Sequence, residues 1–296
     1  MGYRRHQFMT LPAEGRAELW RLGVGLVLIV VIWFALARGV IAVLGSLMEG
    51  DAYLTLLDNL QSGETPGSLA LLLGLSGALW VAAMAVAEIL HKRPGRSLLG
   101  PWPLFWRDFL RVTWAVALLN VALLLLPPWD LMSSTGPGLP VNAWMLFLPV
   151  TLVVLIVQTG AEEVFFRGYF QSQLAARFRH PLIWLGLPSV VFGFGHYMPG
   201  VYGGNALPIA AWSALFGLAA ADLTARAGNL GPAMGLHFVN NFMAFAVTSM
   251  QGDMSGLALR QLPFGPGDEA AVAALLPLDL VLIGVSWLAA RVALRL

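Results

Sequence analysis

Long apolar runs, broken by short polar or charged clusters, dominate the pattern along the chain. A helix needs about 20 apolar residues to cross the ~30 Å hydrocarbon core of a bilayer. Eight stretches are candidates, roughly 19–46, 68–90, 109–127, 142–162, 181–198, 205–225, 230–250 and 271–293. The pattern predicts an all-α fold, a polytopic transmembrane helical bundle of about eight spans. The fifth stretch is short and glycine-rich ("GLPSVVFGFGHY"), which predicts close packing among neighbouring helices over contact with lipid. No repeat of 20–50 residues is visible, and no soluble domain fits in the connecting segments. The expected organisation is a cytoplasmic N-terminal segment, 1–18, followed by a single integral-membrane domain, 19–296.

Composition sharpens this. Of 296 residues, 58% are hydrophobic and 11% charged, with a mean hydropathy of +0.75. A soluble domain of this length carries roughly a quarter charged residues. The expected surroundings are therefore the lipid bilayer, and no nucleic-acid partner is expected. Cysteine is absent, which removes disulfides, thiolate metal sites and a cysteine nucleophile. The first twenty residues have no early apolar core with a cleavage site, so a removable signal peptide is not expected.

Charge placement orients the spans, because basic residues favour cytoplasmic loops. Arg4, Arg5, Arg16 and Arg21 precede or open the first span. Lys92, Arg93, Arg96, Arg107 and Arg111 follow the second, Arg167, Arg177 and Arg179 the fourth, Arg226 the sixth, and Arg291 and Arg295 end the chain. The other set of loops carries Glu49, Asp51, Asp58, Glu64, Asp130, Asp253, Asp268 and Glu269, with Arg260 as the one basic exception. Arg38, inside the first span, fits neither side. Both termini are expected in the cytoplasm. The segment "LLGPWPLFWRDFL" gathers Trp102 and Trp106 with basic residues and reads as interfacial.

Three polar clusters interrupt the apolar runs. The first is Glu162, Glu163 and Arg167; the second is His196, preceded by Phe192; the third is His237 with Asn240 and Asn241. Burying such groups is expensive unless each has a partner or a task. Glu163 and Arg167 stand at i,i+4 and can pair on one helix face. Glu162 lies about 100° around the helix and is left without that partner. A structural ion pair with a spare carboxylate is one reading; a locked support beside a working base is the other. His237 and Asn241, again at i,i+4, can present an imidazole and an amide from one face, or simply hydrogen-bond between helices. Asn240 points elsewhere and reads as structural.

Three such sites on three spans suggest hydrolysis. Glu162 and His196 could hold and deprotonate a water, while His237 and Asn241 could donate hydrogen bonds to an oxyanion. No serine stands in a nucleophile-elbow setting, no pair of aspartates faces across spans, and there is no HExxH. No cofactor is expected; the alternative is zinc, with Glu162, His196 and His237 as three protein ligands beside water. Two readings from other classes remain. A transporter or channel could use the polar residues as a path, with Glu88, Asp222 and Asp279 compatible with it, though each reads better as a packing or boundary residue. A non-catalytic immunity or scaffold protein has no physical need for an unpaired Glu162.

The clusters "EEVFFR" (Glu162 to Arg167), "FGFGH" (Phe192 to His196) and "HFVNN" (His237 to Asn241) resemble the motifs EExxxR, FxxxH and HxxxN of the CAAX protease and bacteriocin-processing family, which includes the type II CAAX prenyl endopeptidases. The resemblance covers roughly residues 140–250. It implies an α-helical intramembrane bundle of about eight spans and an endopeptidase acting on membrane-anchored protein or peptide substrates. It implies that Glu162 and His196 activate water, that His237 and Asn241 form the oxyanion site, and that Arg167 supports the site through Glu163. It favours a glutamate-based mechanism without metal over the metalloprotease alternative. The single lysine and the abundance of Arg, Ala, Leu and Gly suggest a GC-rich bacterium, hence its inner membrane and an unprenylated substrate such as a bacteriocin precursor. Bacteriocin immunity is another role in the family. The oligomeric state is not legible.

Overall fold

The computed structural model describes residues 2–127 and 134–296. Asp130, one of the acidic loop residues counted above, lies outside them. The fold is all-α. Helix α1 (Gln7–Glu14) precedes the long α2 (Leu19–Ser46), and α3 (Gly50–Ser62) follows. Helices α4 (Pro66–Leu75) and α5 (Gly77–His91) form the second apolar run, divided at Ser76. Next come α6 (Trp102–Leu125) and α7 (Val141–Glu163). The latter continues through a π-helical segment, Val164–Gln171, into α8 (Ser172–Arg177). A second π-helical turn, Leu182–Gly186, opens α9 (Leu187–Gly195). Short α10 (Pro199–Tyr202), long α11 (Ala206–Ala227), α12 (Gly231–Phe242) with a π-helical end at Met243–Val247, and α13 (Glu269–Leu294) complete the chain.

Among the described residues, six helical runs are long and apolar enough to cross a membrane: Leu19–Ser46, Pro66–His91, Gly95–Leu125, Val141–Arg177, Pro199–Ala227 and Glu269–Leu294. The other two sequence-expected spans are helical but shorter, Leu182–Gly195 and Gly231–Phe242 with its π-helical extension. Eight apolar segments therefore exist, and six have full spanning length. The two short ones carry His196, His237 and Asn241. Helix α12 is almost wholly buried, packed against α6, α7, α11 and α13, which explains how a short segment can stay among long ones. The expected close packing of the fifth segment is present on one face only. One face does pack closely, since a Cβ on Gly193 would collide with the Ala210 carbonyl and sit 2.8 Å from Ala214 Cβ. The other face leaves Leu182, Leu187, Val190, Val191 and Phe194 exposed at 40–73%.

The fourth run is longer than its apolar pattern indicated. At 1.5 Å per residue its 37 residues span about 55 Å, well beyond a ~30 Å core. Glu162 stands about 32 Å along it from Val141 by the same rise, near one boundary of the apolar layer. The three described strands are two residues each. Gly136–Pro137 (β1) pairs antiparallel with Arg260–Gln261 (β3), which pairs parallel with Thr248–Ser249 (β2). They tie the loop after α12 to the approach to α7 and leave the all-α architecture unchanged.

Close helix approaches set the site. Gly160 on α7 is the clearest case: a Cβ there would overlap the Trp80 ring of α5 and lie 2.9 Å from the Met234 Cε of α12. Gly160→Ala should therefore destabilise the fold by about 1–3 kcal/mol through overpacking. Thermal unfolding of the detergent-solubilised protein measures this, and a wild-type melting temperature would show that α5, α7 and α12 are not packed as described.

Candidate active site

The site grows from the end of α7. Glu163 and Arg167 pair at i,i+4, with Arg167 Nη1 donating to Glu163 Oε1 at 2.9 Å. Both are essentially inaccessible, at 0% and 1% exposure. The pair spans the start of the π-helical segment, a wider turn common where function requires a side chain to be re-aimed. Arg167 spends its remaining capacity locally. Its Nη2 donates to the Gly217 carbonyl of α11 at 3.0 Å, and its guanidinium lies 4.7 Å over the Phe192 ring and 5.7 Å over that of Phe166. Gly217 makes room for this, because a Cβ there would sit 3.1 Å from Nη2 and 3.3 Å from Ser189.

Glu163 Oε1 also accepts from His237 Nδ1 of α12 at 2.9 Å. A carboxylate oxygen that already receives Arg167 has no proton to give, so Nδ1 carries the hydrogen and the free lone pair lies on Nε2. That nitrogen faces Glu162 Oε2 at 3.6 Å. The Phe216 ring meets the imidazole edge-on at 5.0 Å and Phe192 at 6.1 Å, fixing its plane. Glu162 is the more accessible carboxylate, with a side chain 24% exposed.

One sequence expectation changes here. Glu162 is not partnerless: Gln158 Nε2, one turn earlier on α7, donates to its Oε1 at 2.6 Å. Asn240 Nδ2 donates to its neighbour Asn241 Oδ1 at 3.2 Å. Gln158 is the residue that the sequence reading passed over. It accepts at Oε1 from Asn241 Nδ2 at 2.8 Å while donating to Glu162, and so joins α12 to the carboxylate. Its i,i+4 spacing to Glu162 was the available signal. The expected pairing of Glu163 with Arg167 and the shared face of His237 and Asn241 are both present.

His196 stands apart. Its Nδ1 donates to the Phe192 carbonyl at 2.9 Å, which gives the FxxxH spacing a physical reason and leaves Nε2 as the basic nitrogen. The imidazole contacts the Phe192 ring at 4.7 Å, and that ring in turn faces His237. No hydrogen bond or ion pair links His196 to Glu162 or His237 among the described residues. Nor do three or more His, Asp or Glu side chains gather there as a metal-binding group. The trio Glu162, His196 and His237 thus does not fit a three-ligand zinc site in this arrangement. Of the other carboxylates in apolar runs, buried Asp222 accepts from Tyr3, Arg226 and Trp287, and exposed Glu88 accepts from the Gly95 amide, so both serve packing and boundaries.

Residues 143–243 match the family model described as Type II CAAX prenyl endopeptidase Rce1-like. The matched third of the chain contains Gln158, Glu162, Glu163, Arg167, His196, His237 and Asn241, and the resemblance drawn from the three motifs holds. No match is found among curated proteins or solved structures.

Removing one partner of a buried ion pair leaves an uncompensated charge and costs about 3–5 kcal/mol. Glu163→Gln should accordingly lower the stability of the folded protein by that order, read as a reduced melting temperature in detergent. An unchanged melting curve would mean that Arg167 does not depend on Glu163 for its burial.

Proposed function

We propose that this chain, a membrane protein whose residues 143–243 belong to the Rce1-like family of type II CAAX prenyl endopeptidases, hydrolyses peptide bonds of membrane-anchored proteins or peptides at the Glu162–His237 cluster. The single observation that carries the reading is the approach of Glu162 Oε2 to the only unengaged nitrogen of His237. A base, the more accessible carboxylate of an otherwise buried polar network, and a proton carrier face each other.

Glu162 is the base. Gln158 holds its Oε1, so Oε2 is the oxygen left for a substrate water. As that water attacks the scissile carbonyl carbon, its proton passes to Oε2 and the carbonyl π electrons move onto oxygen. His237 Nε2 can then take the proton from Oε2 and, as an imidazolium braced at Nδ1 by Glu163, stabilise the oxyanion. The carbonyl then re-forms as the C–N bond breaks, and the same proton goes to the departing amine nitrogen. This refines the oxyanion role expected for His237, which needs a proton on Nε2 before it can donate. Asn241 Nδ2 has two hydrogens; one is held by Gln158 Oε1, and the second is available to the oxyanion. His196 contributes a lone pair on Nε2 and joins Glu162 in receiving the water once substrate is seated. Phe192 connects it to the cluster.

The substrate class rests on the surroundings. A separate apolar cavity of about 90 Å³, lined by Trp80, Trp106, Phe109, Ile156 and Met234, opens one turn of α12 from His237 and suits an apolar portion of the substrate. The protein would act in the inner membrane of a bacterium, with both termini in the cytoplasm as the basic segments indicate, and bacteriocin precursors are the substrates to test first.

Loss of a general base costs about a hundredfold or more, so Glu162→Gln and His196→Ala should each reduce cleavage of a membrane peptide by at least that factor. Asn241→Ala should cost about a hundredfold to a thousandfold, as loss of an oxyanion donor does. Each variant must retain its melting temperature for the comparison to count. Wild-type turnover by folded Glu162→Gln would sink the hydrolytic reading in favour of transport or immunity. The chemistry is proposed to be metal-free: elemental analysis of active protein should find no stoichiometric zinc, and chelation should leave turnover intact. About one zinc per chain, with activity lost on chelation and restored by zinc, would replace this mechanism with the metalloprotease alternative.

A further inference from the structure

The N-terminal segment is docked firmly onto the end of the bundle. Tyr3 donates to Asp222 at 2.8 Å, and the rings of Tyr3 and His6 lie 5.2 and 4.9 Å from that of Trp184. Arg93, itself 1% exposed, donates to the Met9 carbonyl. Between this segment and residues 175–184 lies a cleft of about 270 Å³. Its lining includes Arg4, His6, Gln7, Thr10 and Arg179 and contains no acidic residue. Arg4 and Arg179 are exposed and make no ion pair among the described residues. The nearest carboxylate bonded to a lining residue, Asp222, is already held by Arg226 through both oxygens.

His6 supplies an independent sign of a ligand. It is 4% exposed, yet its Nε2 is buried without a hydrogen-bond partner. Burial lowers the imidazole to a pKa of about 4, so it is neutral at pH 7 and can place its proton on Nε2 as a donor. A buried polar atom without a partner costs free energy that a bound acceptor recovers. We propose that this cleft binds a phosphate group, presented by the headgroup of an anionic phospholipid, with Arg4 and Arg179 as cations and His6 Nε2 and Thr10 as donors. The lipid is favoured as the source by position. The 37-residue run of the fourth span ends at Arg177, between the lining residues Ala175 and Phe178, and the next helical segment, which contributes Trp184 to the lining, carries exposed Leu182 and Leu187, along which acyl chains would run. Basic clefts at the cytoplasmic ends of spans suit such headgroups. Occupation would clamp α1 to α8 and the start of α9. The inference is independent of the proposed hydrolysis, since none of these residues touches Glu162, His196 or His237.

The test titrates the full-length protein in neutral detergent with phosphatidylglycerol, phosphatidylcholine or inorganic phosphate, and counts bound molecules by native mass spectrometry. The wild type should retain phosphatidylglycerol in preference to phosphatidylcholine. Arg4→Gln and Arg179→Gln should each weaken that retention about fivefold, and together about twenty-fivefold, given the contribution of an arginine near an anionic surface. Arg5→Gln, outside the cleft lining, should bind as wild type, and all five proteins should melt alike in the absence of anionic lipid. Equal retention by wild type and double variant, no preference between the two lipids, or an equal loss in Arg5→Gln would overturn the proposal. Inorganic phosphate binding as tightly as phosphatidylglycerol would overturn the lipid as the source.

Discussion

Everything at the centre of this bundle depends on burying the Glu163–Arg167 ion pair. Taking both ions out of water costs several kcal/mol each, and their attraction offsets that only if the remaining hydrogen-bonding capacity is satisfied. Arg167 meets the condition with the Gly217 carbonyl and two aromatic faces. Glu163 meets it at one oxygen, which accepts from both Arg167 and His237, while Oε2 has no partner among the described residues. The pair therefore fixes α7 against α11 and α12 at once. It also sets which nitrogen of His237 faces Glu162.

The packing around it uses small residues where helices must approach. Gly160 lets α5 and α12 meet α7, Gly193 lets α9 meet α11, and Gly217 leaves space for a guanidinium. The π-helical segment after Glu163 widens the turn where the charged pair, Tyr169 and Gln171 must all be accommodated. Tyr169 donates to His91 Nε2 at 2.7 Å, since His91 Nδ1 is committed to the Arg16 carbonyl. Gln171 donates to the Ala221 carbonyl. Arg167 and Gln171 thus both bond to carbonyls of α11, and Tyr169 to α5, so the stretch is held between two neighbouring helices although it departs from α-helical geometry.

A division of labour follows along α7 and α12. Glu163 and Arg167 are sealed, whereas Glu162, one residue earlier, keeps a quarter of its side chain accessible. Gln158 bridges Glu162 to Asn241, so that one run of hydrogen bonds joins Asn240, Asn241, Gln158 and Glu162 and a second joins His237, Glu163 and Arg167, the two facing each other where Glu162 Oε2 lies 3.6 Å from His237 Nε2. Phe192, Phe216 and Phe166 line one side of it and exclude water there. In the proposed hydrolysis the proton would move at the exposed end, while the charge that orients the site lies at the buried end.

The sequence by itself determined the apolar runs, their helical character and the i,i+4 pairs. Hydropathy is additive along the chain, and a helix places i and i+4 together whatever surrounds it. The three motifs likewise identified Glu162, Glu163, Arg167, His196, His237 and Asn241 as a set, because polar groups stand out in an apolar background. Only the tertiary structure decided which oxygen of Glu163 serves two partners, that Gln158 links two helices, and that His196 turns to the Phe192 carbonyl. It also decided that two of the eight apolar segments are short, and that α9 keeps an exposed apolar face. Those outcomes depend on distances between elements far apart in sequence, and local pattern carries no information about such distances.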